Sequence, residues 1–169
     1  MKTFVLCRHA KSDWPYGVAD IERPLKERGI KDANFLGNLL SEQSFKPDLV
    51  VSSPANRAHS TAKIIAGKLG YKEGKINIEK SIYFEGTEGL IQTIHSLPET
   101  SKTVMLFGHN PTMEDAVRTL LGSEAAFEMP TCGMACFEAN VYYWKDIDSR
   151  NLILRWYLIP RFNRQNPFG

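Results

Sequence analysis

Two arginines and two histidines are the residues of this sequence best suited to chemistry. They are Arg8, His9, Arg57 and His109. An isolated Arg-His pair more often marks a solvated strand end, but here the pattern recurs. Each member follows an apolar run, which is FVLC for Arg8 and His9, LVV for Arg57 and VMLF for His109. Such runs are typical of buried strands. Because ligands of parallel sheets bind at the carboxyl ends of strands, the four side chains are expected to converge there.

These residue types indicate phosphoryl chemistry. A guanidinium group is a planar fork that matches two phosphate oxygens at once. An imidazole with one unprotonated nitrogen can attack phosphorus. A second imidazole can donate a hydrogen bond to an oxygen on which charge builds. We therefore expect His9 to be the nucleophile, and Arg8, Arg57 and His109 to hold the phosphate.

Alternating strand and helix patterns supply the frame for these residues. They predict an α/β fold, a three-layer α/β/α sandwich with a mostly parallel sheet. Segments 134–141 and 152–159 predict a hairpin, and so at least one antiparallel strand. Arg57 falls in the first turn of a predicted helix, where a phosphate would also meet free backbone N–H groups. Finer expectations are a helix that opens at 23–25 and a loop over 81–86.

Four blocks of the sequence resemble the histidine phosphatase superfamily, the phosphoglycerate-mutase-like proteins. The similarity is greatest to the small branch of SixA-type phosphohistidine phosphatases. The blocks are RHAKSDW from Arg8, RPL from Arg23, SPANRA from Ser53 and GHNP from Gly108. Ala10 departs from the superfamily's usual glycine, but alanine is small and the tight turn is expected to survive. The resemblance covers about residues 3–121 and implies a phosphoglycerate-mutase-like fold, with the same roles for the two arginines and two histidines.

A general acid would be needed to protonate an ester oxygen as it leaves. The candidates are Glu85, Glu88 and Asp13. Larger members of the superfamily place a glutamate in the interval that holds Glu85, which makes Glu85 the preferred candidate. The SixA-like branch is expected to manage without a dedicated acid, because the leaving nitrogen of phosphohistidine can arrive already protonated.

Two further residues are candidates for substrate binding. Asn110 can lend its amide to the phosphate, or it can cap the helix that follows Pro111. Arg23 can reach the phosphate, or it can form a surface ion pair with a residue such as Glu27. The residues alone leave these alternatives open.

Composition bounds the remaining possibilities. The chain has 169 residues and a net charge of +2, which is too small to indicate nucleic acid or a membrane surface as a partner. We expect one histidine-phosphatase-like domain over 1–160 and a frayed tail over 161–169. The three cysteines are too sparse for a disulfide framework, and with no signal sequence apparent they favour a reduced, cytoplasmic protein. No metal-binding spacing or ATP-binding glycine loop is present, so no metal or other cofactor is expected.

Together these observations predict a metal-independent phosphatase that acts through a phosphohistidine on His9. The expected substrate is phosphohistidine on a protein, followed by small phosphate esters, and a monomer is favoured. One alternative is a module that binds a phosphorylated ligand without turnover. Another is a mutase, which would need a closed site and a firm proton donor. The short chain leaves little room for a lid, so we expect an open, shallow pocket.

Overall fold

A six-stranded sheet forms the centre of the computed structural model, which describes residues 1–122 and 126–160. Within these ranges the strand order is β3-β2-β4-β1-β5-β6. The strands are β1 (Lys2–Arg8), β2 (Leu49–Ser52), β3 (Asn77–Ile78), β4 (Thr103–Gly108), β5 (Met134–Ala139) and β6 (Leu152–Leu158). The helices are α1 (Glu27–Glu42), α2 (Asn56–Lys68), α3 (Ser81–Phe84), α4 (Gly86–His95) and α5 (Thr112–Leu121).

Strand β1 faces two hydrophobic cores because successive side chains of a strand point to opposite faces of the sheet. Phe4 and Leu6 belong to the core that includes buried residues of α4 and α5. Val5 and Cys7 belong to the core that includes buried residues of α1 and α2. The sheet is thus covered on both faces, and the predicted three-layer α/β fold is confirmed.

The strands that carry the predicted site residues run in the same direction. Strand β4 pairs in parallel with β1, where Arg8 lies opposite Gly108. It also pairs in parallel with β2, where Ser52 lies opposite Phe107. The carboxyl ends of β1, β2 and β4 therefore meet at one edge of the sheet, as predicted.

The carboxyl-terminal hairpin is also confirmed. Strand β5 is antiparallel to both β1 and β6, which completes a mixed sheet. Both strands end earlier than predicted, at Ala139 and Leu158.

Two local predictions are wrong. Helix α1 begins at Glu27 rather than at 23–25, and Arg23 has an extended backbone (φ −55°, ψ 126°). A residue that precedes proline is sterically driven out of the helical region, and Pro24 imposes this on Arg23. The predicted loop over 81–86 contains the short helix α3, whose first residue, Ser81, donates both its backbone N–H and its hydroxyl to the Glu79 carboxylate.

The predicted frayed tail over 161–169 lies outside the described residues, and the single domain over 1–160 stays a prediction. Among the helices of the described ranges, none is long and apolar enough to cross a membrane.

Candidate active site

The backbone of His9 is fixed on both sides at the end of β1. Its N–H donates to the carbonyl of Gly108 at 2.9 Å, and its carbonyl accepts from the N–H of Cys132 at 3.0 Å. The ring Nδ1 lies 2.8 Å from the carbonyl oxygen of Ala10. Since a carbonyl can only accept, Nδ1 carries the proton and Nε2 keeps its lone pair.

The charge state of His9 suits a nucleophile. Burial lowers the pKa of His9 to about 4, and the positive charges of Arg57, Arg8 and Arg23 act in the same direction against the opposing hydrogen bond to Ala10. The imidazole is therefore neutral near pH 7.

His109 lies beside His9, with 5.5 Å between the ring centroids. Its Nε2 is 2.6 Å from the hydroxyl oxygen of Ser53, which itself accepts from the N–H of Ala55 at 3.2 Å. In the tautomer in which the Ser53 hydroxyl donates to Nε2, the proton of the neutral His109 ring lies on Nδ1. Burial first and then the charge of Arg57 lower the pKa of His109 to about 3, so the ring is a neutral donor.

The two predicted arginines approach the same place from different elements. Arg57 lies in the first turn of α2, as predicted, and is only 6% exposed. It donates to the carbonyl oxygen of Asp20 at 2.7 Å and to the Asp20 carboxylate at 3.1 Å. Arg8, the last residue of β1, donates through Nη1 to the carbonyl of Met129 at 2.8 Å.

Three donors of this cluster are buried without a hydrogen-bond partner in the described part of the chain. They are Arg8 Nε, Arg57 Nε and, in the tautomer that carries its proton there, His109 Nδ1. Unpaired buried donors are rare because each costs about 1–3 kcal/mol. An oxyanion bound among them would satisfy donors of all three residues, which fits the predicted phosphate site.

Asp20 is a central residue that the sequence prediction missed. Its carboxylate accepts from Arg57, from Arg23 Nη1 at 3.2 Å and from the Tyr83 hydroxyl at 2.7 Å. Although burial raises the pKa of Asp20, the hydrogen bonds of Tyr83 and Arg23 and the charge of Arg57 lower it to about 2. The Tyr83 ring stands edge-on to His109, with 5.5 Å between centroids, and so joins the same cluster.

Arg23 borders the cluster rather than pairing with Glu27, which instead pairs with Lys31 at 2.9 Å. Besides Asp20, it binds the hydroxyl of Ser12 at 2.9 Å and the carbonyl of Asp13 at 3.1 Å. Arg23 thus forms the kind of ion pair that was predicted as the alternative, but with Asp20 and not with Glu27, and a direct phosphate contact by Arg23 stays a prediction. The charge of Arg23 also lowers the pKa of both site histidines.

Asn110 does not cap the following helix, where Pro111 is the N-cap residue and no side chain caps. Its amide nitrogen donates to Glu114 Oε1 at 2.7 Å and to the Met129 carbonyl at 3.0 Å. Glu114 Oε1 also accepts the backbone N–H of Met129 at 2.8 Å. The amide nitrogen of Asn110 thus donates both to Glu114 and to the Met129 carbonyl that binds Arg8, and a direct phosphate contact by Asn110 stays a prediction.

Within the described ranges, none of the three candidate carboxyl groups takes part in the hydrogen bonds of this cluster. Glu85 is exposed at the junction of α3 and α4, and its carboxylate makes no hydrogen bond or ion pair within the described ranges. Asp13 is exposed and lies 3.7 Å from Lys26 Nζ. Glu88 is exposed in the first turn of α4. The structure therefore brings together Arg8, His9, Arg23, Arg57 and His109, but the Glu85 carboxylate forms no hydrogen bond or ion pair with them.

Comparisons with known proteins agree with this arrangement. The family model described as histidine phosphatase superfamily (branch 1) matches residues 4–82. An uncharacterised chloroplast protein of Arabidopsis thaliana is 32% identical over 155 residues, which cover 86% of this chain and 70% of that protein. The chain belongs to the histidine phosphatase superfamily.

Solved structures place the chain with the SixA type of that superfamily. The crystal structure of a putative phosphohistidine phosphatase SixA from Agrobacterium tumefaciens is 27% identical, with a TM-score of 0.77 over 94% of this chain and 99% of that one. The protein histidine phosphatase SixA complexed with tungstate shares the fold at 19% identity, with a TM-score of 0.81 over 95% of this chain and 99% of that one. Together, the family and these neighbours support a phosphatase.

Proposed function

We propose that this chain removes the phosphoryl group from phosphohistidine on proteins, through a covalent phosphohistidine on His9. The observation that carries the proposal is the hydrogen bond from His9 Nδ1 to the Ala10 carbonyl. It leaves Nε2 unprotonated, in a ring that burial and neighbouring positive charges keep neutral. A module that only binds phosphate has no need of such a nitrogen, so this observation favours turnover.

In the first step, His9 Nε2 forms a bond to phosphorus while the bond from phosphorus to the substrate nitrogen breaks. The negative oxygens of the phosphoryl group are held by Arg8 and Arg57, and His109 donates from Nδ1. These groups are positioned before the substrate arrives, so little reorganisation is needed as charge develops. In the second step, water attacks the phosphorus, the bond to His9 Nε2 breaks, and inorganic phosphate is released.

The lack of an available proton donor in the cluster favours phosphohistidine over phosphate esters as the substrate. An alkoxide is a poor leaving group without a general acid, whose contribution is about 10²–10⁴-fold in rate. Asp20 is the carboxylate in the cluster, and its lowered pKa of about 2 keeps it ionised. Tyr83 already donates its hydroxyl hydrogen to Asp20, and this bond is the first cause of its raised pKa. An imidazole leaving group that already carries a proton needs neither residue.

The proposal includes four expectations from composition and resemblance. They are activity without a metal or other cofactor, a monomeric state, a cytoplasmic location, and an open, shallow pocket. Small phosphate esters are the second substrate class. They would be favoured if Glu85 moved onto the site and supplied the missing proton.

A phosphoenzyme trap tests the proposal. The protein is mixed with phosphohistidine in the presence of a chelator and quenched, and acid-labile phosphate is mapped by mass spectrometry. We expect phosphate on His9, none in His9→Ala, and unchanged labelling in His59→Ala. Hydrolysis of phosphohistidine should exceed that of phosphoserine, whose leaving alkoxide needs a general acid. Phosphate binding without an adduct or release from any donor would support the binding-module alternative instead.

A further inference from the structure

Two large aromatic side chains are exposed beside the site. Trp14 is 59% exposed and Phe84 is 67% exposed. Scattered exposed apolar residues are normal, so exposure alone means little. What distinguishes these two rings is the pair of residues on which they pack.

Each ring packs on a residue that binds the Asp20 carboxylate. The Arg23 guanidinium lies over Trp14, 4.4 Å from the ring centroid. Phe84 stands edge-on to Tyr83, with 4.8 Å between the ring centroids. Arg23 binds Asp20 Oδ1 and Tyr83 binds Asp20 Oδ2. Trp14 therefore packs on the residue that binds one oxygen of the Asp20 carboxylate, and Phe84 packs on the residue that binds the other. The same carboxylate binds Arg57.

Trp14 is held in place although it is exposed. Its indole Nε1 donates to the carbonyl of Val18 at 2.8 Å, and its backbone N–H donates to the Asp13 carboxylate at 2.9 Å. A side chain that is already ordered loses little conformational entropy when a partner covers it. Ordered, exposed tryptophan is also the residue type most enriched among the dominant contacts of protein interfaces.

We propose that Trp14 and Phe84 form a docking rim for the apolar side chains that flank a phosphohistidine in a protein substrate. The inference rests on the proposed function and adds the residues that would recognise the polypeptide. A free phosphorylated amino acid or a sugar phosphate has no apolar side chains to cover these rings. The occupant is therefore a polypeptide segment that presents apolar residues on both sides of its phosphorylated histidine.

Two peptides of equal length, each phosphorylated by phosphoramidate on a single histidine, test the inference. One has leucine and phenylalanine beside the phosphohistidine, and the other has serine and glycine. Free phosphohistidine is the third substrate and reports on the chemistry alone. Trp14→Ala and Phe84→Ala are compared with the control variant Tyr142→Ala, which removes an aromatic ring that is 89% exposed. Tyr142 follows the end of β5 at which Ala139 pairs with Lys2, so it lies at the edge of the sheet opposite the site.

The expected result is a loss of kcat/KM on the apolar peptide at least tenfold greater than the loss on free phosphohistidine, for each rim variant. Trp14→Phe should recover most of the activity on the apolar peptide, and Tyr142→Ala should change neither substrate. Equal losses on both substrates would overturn the inference, because the rings would then support the site rather than dock a polypeptide. So would unchanged kinetics in both rim variants. Failure of the unmodified protein on all three substrates would instead refute the proposed function, and the inference with it.

Discussion

Replacing Glu114 with alanine tests how Arg8 is held in place. The carboxylate forms no hydrogen bond or ion pair with Arg8, although its charge opposes the lowering of the Arg8 pKa by burial. Its Oε1 accepts both the Asn110 amide and the Met129 N–H. The Met129 carbonyl in turn binds Arg8 Nη1. Glu114 is therefore a positioning residue: it holds the Met129 backbone, whose carbonyl accepts the hydrogen bond from Arg8.

The cost follows from the groups left behind. Met129 is fully buried, so its N–H would have no partner, and a buried unpaired donor costs about 1–3 kcal/mol. Asn110 would keep its bond to the Met129 carbonyl and lose a hydrogen bond to a charged acceptor, worth about 1.5–3 kcal/mol. Since the freed amide relaxes towards water, we expect a total loss of about 2–4 kcal/mol. For a protein of this size each kcal/mol lowers Tm by about 2–4 °C, so Tm should fall by about 4–16 °C.

Thermal unfolding measures the loss, and phosphohistidine kinetics measure the effect on Arg8. Glu114→Gln keeps an acceptor oxygen and should recover most of the stability. Glu42→Ala, at the exposed end of α1, is the control and should stay within about 0.5 kcal/mol of the unmodified protein. In Glu114→Ala, KM should rise more than kcat falls, because Arg8 binds phosphate in both the ground state and the transition state. If Glu114→Ala is as stable as Glu42→Ala and has an unchanged KM, the positioning argument is refuted.

The site histidines, Tyr83 and Gly29 each give a further prediction. The pKa values of about 4 and 3 for the site histidines lie below the unfolded value of about 6.5, so the unfolded state binds more protons between these pH values. The free energy of unfolding should therefore fall as pH drops below about 6.5, by up to about 1.4 kcal/mol per histidine per pH unit. The double variant with His9→Asn and His109→Gln should lose this pH dependence in thermal unfolding. Tyr83→Phe should lower phosphohistidine turnover less than about threefold, whereas a loss of about 10²-fold would mean that the hydroxyl protonates the leaving group. Gly29→Ala would place a Cβ against the Lys11 carbonyl oxygen and should lower the free energy of unfolding by about 1–3 kcal/mol in the same thermal assay. The control Gly67→Ala would place its Cβ in open space among the described residues and should be neutral or slightly stabilising.

The residues predicted correctly to share an edge are those with a local signature. Arg8 and His9 end an apolar run, and Arg57 begins a helix just after another, so periodicity and turn residues place them. The mostly parallel sheet follows from the alternation of strand and helix patterns. These signals involve neighbours in the sequence, and no knowledge of distant contacts was required.

The residues that were missed depend on contacts between distant parts of the chain. Asp20 binds Arg57, which is 37 residues away, and nothing in its own surroundings marks it as central. Arg8 is held by the backbone carbonyl of Met129, 121 residues away, and a carbonyl has no signature in a sequence. Analogy with larger relatives favours Glu85, whereas in the structure it is exposed and its carboxylate forms no ion pair within the described ranges. Its role stays a prediction.

The central position of β1 also determines how the nucleophile opens to solvent. Strands β4 and β5 lie on either side of β1, and the N–H groups of Arg8 and His9 donate to Gly133 and Gly108 respectively. Amide hydrogens of such central strands exchange with solvent only through near-global unfolding. The backbone that carries the nucleophile therefore shares the full cooperativity of the folded chain, and a covalent intermediate on His9 would lie on the most slowly exchanging part of the molecule.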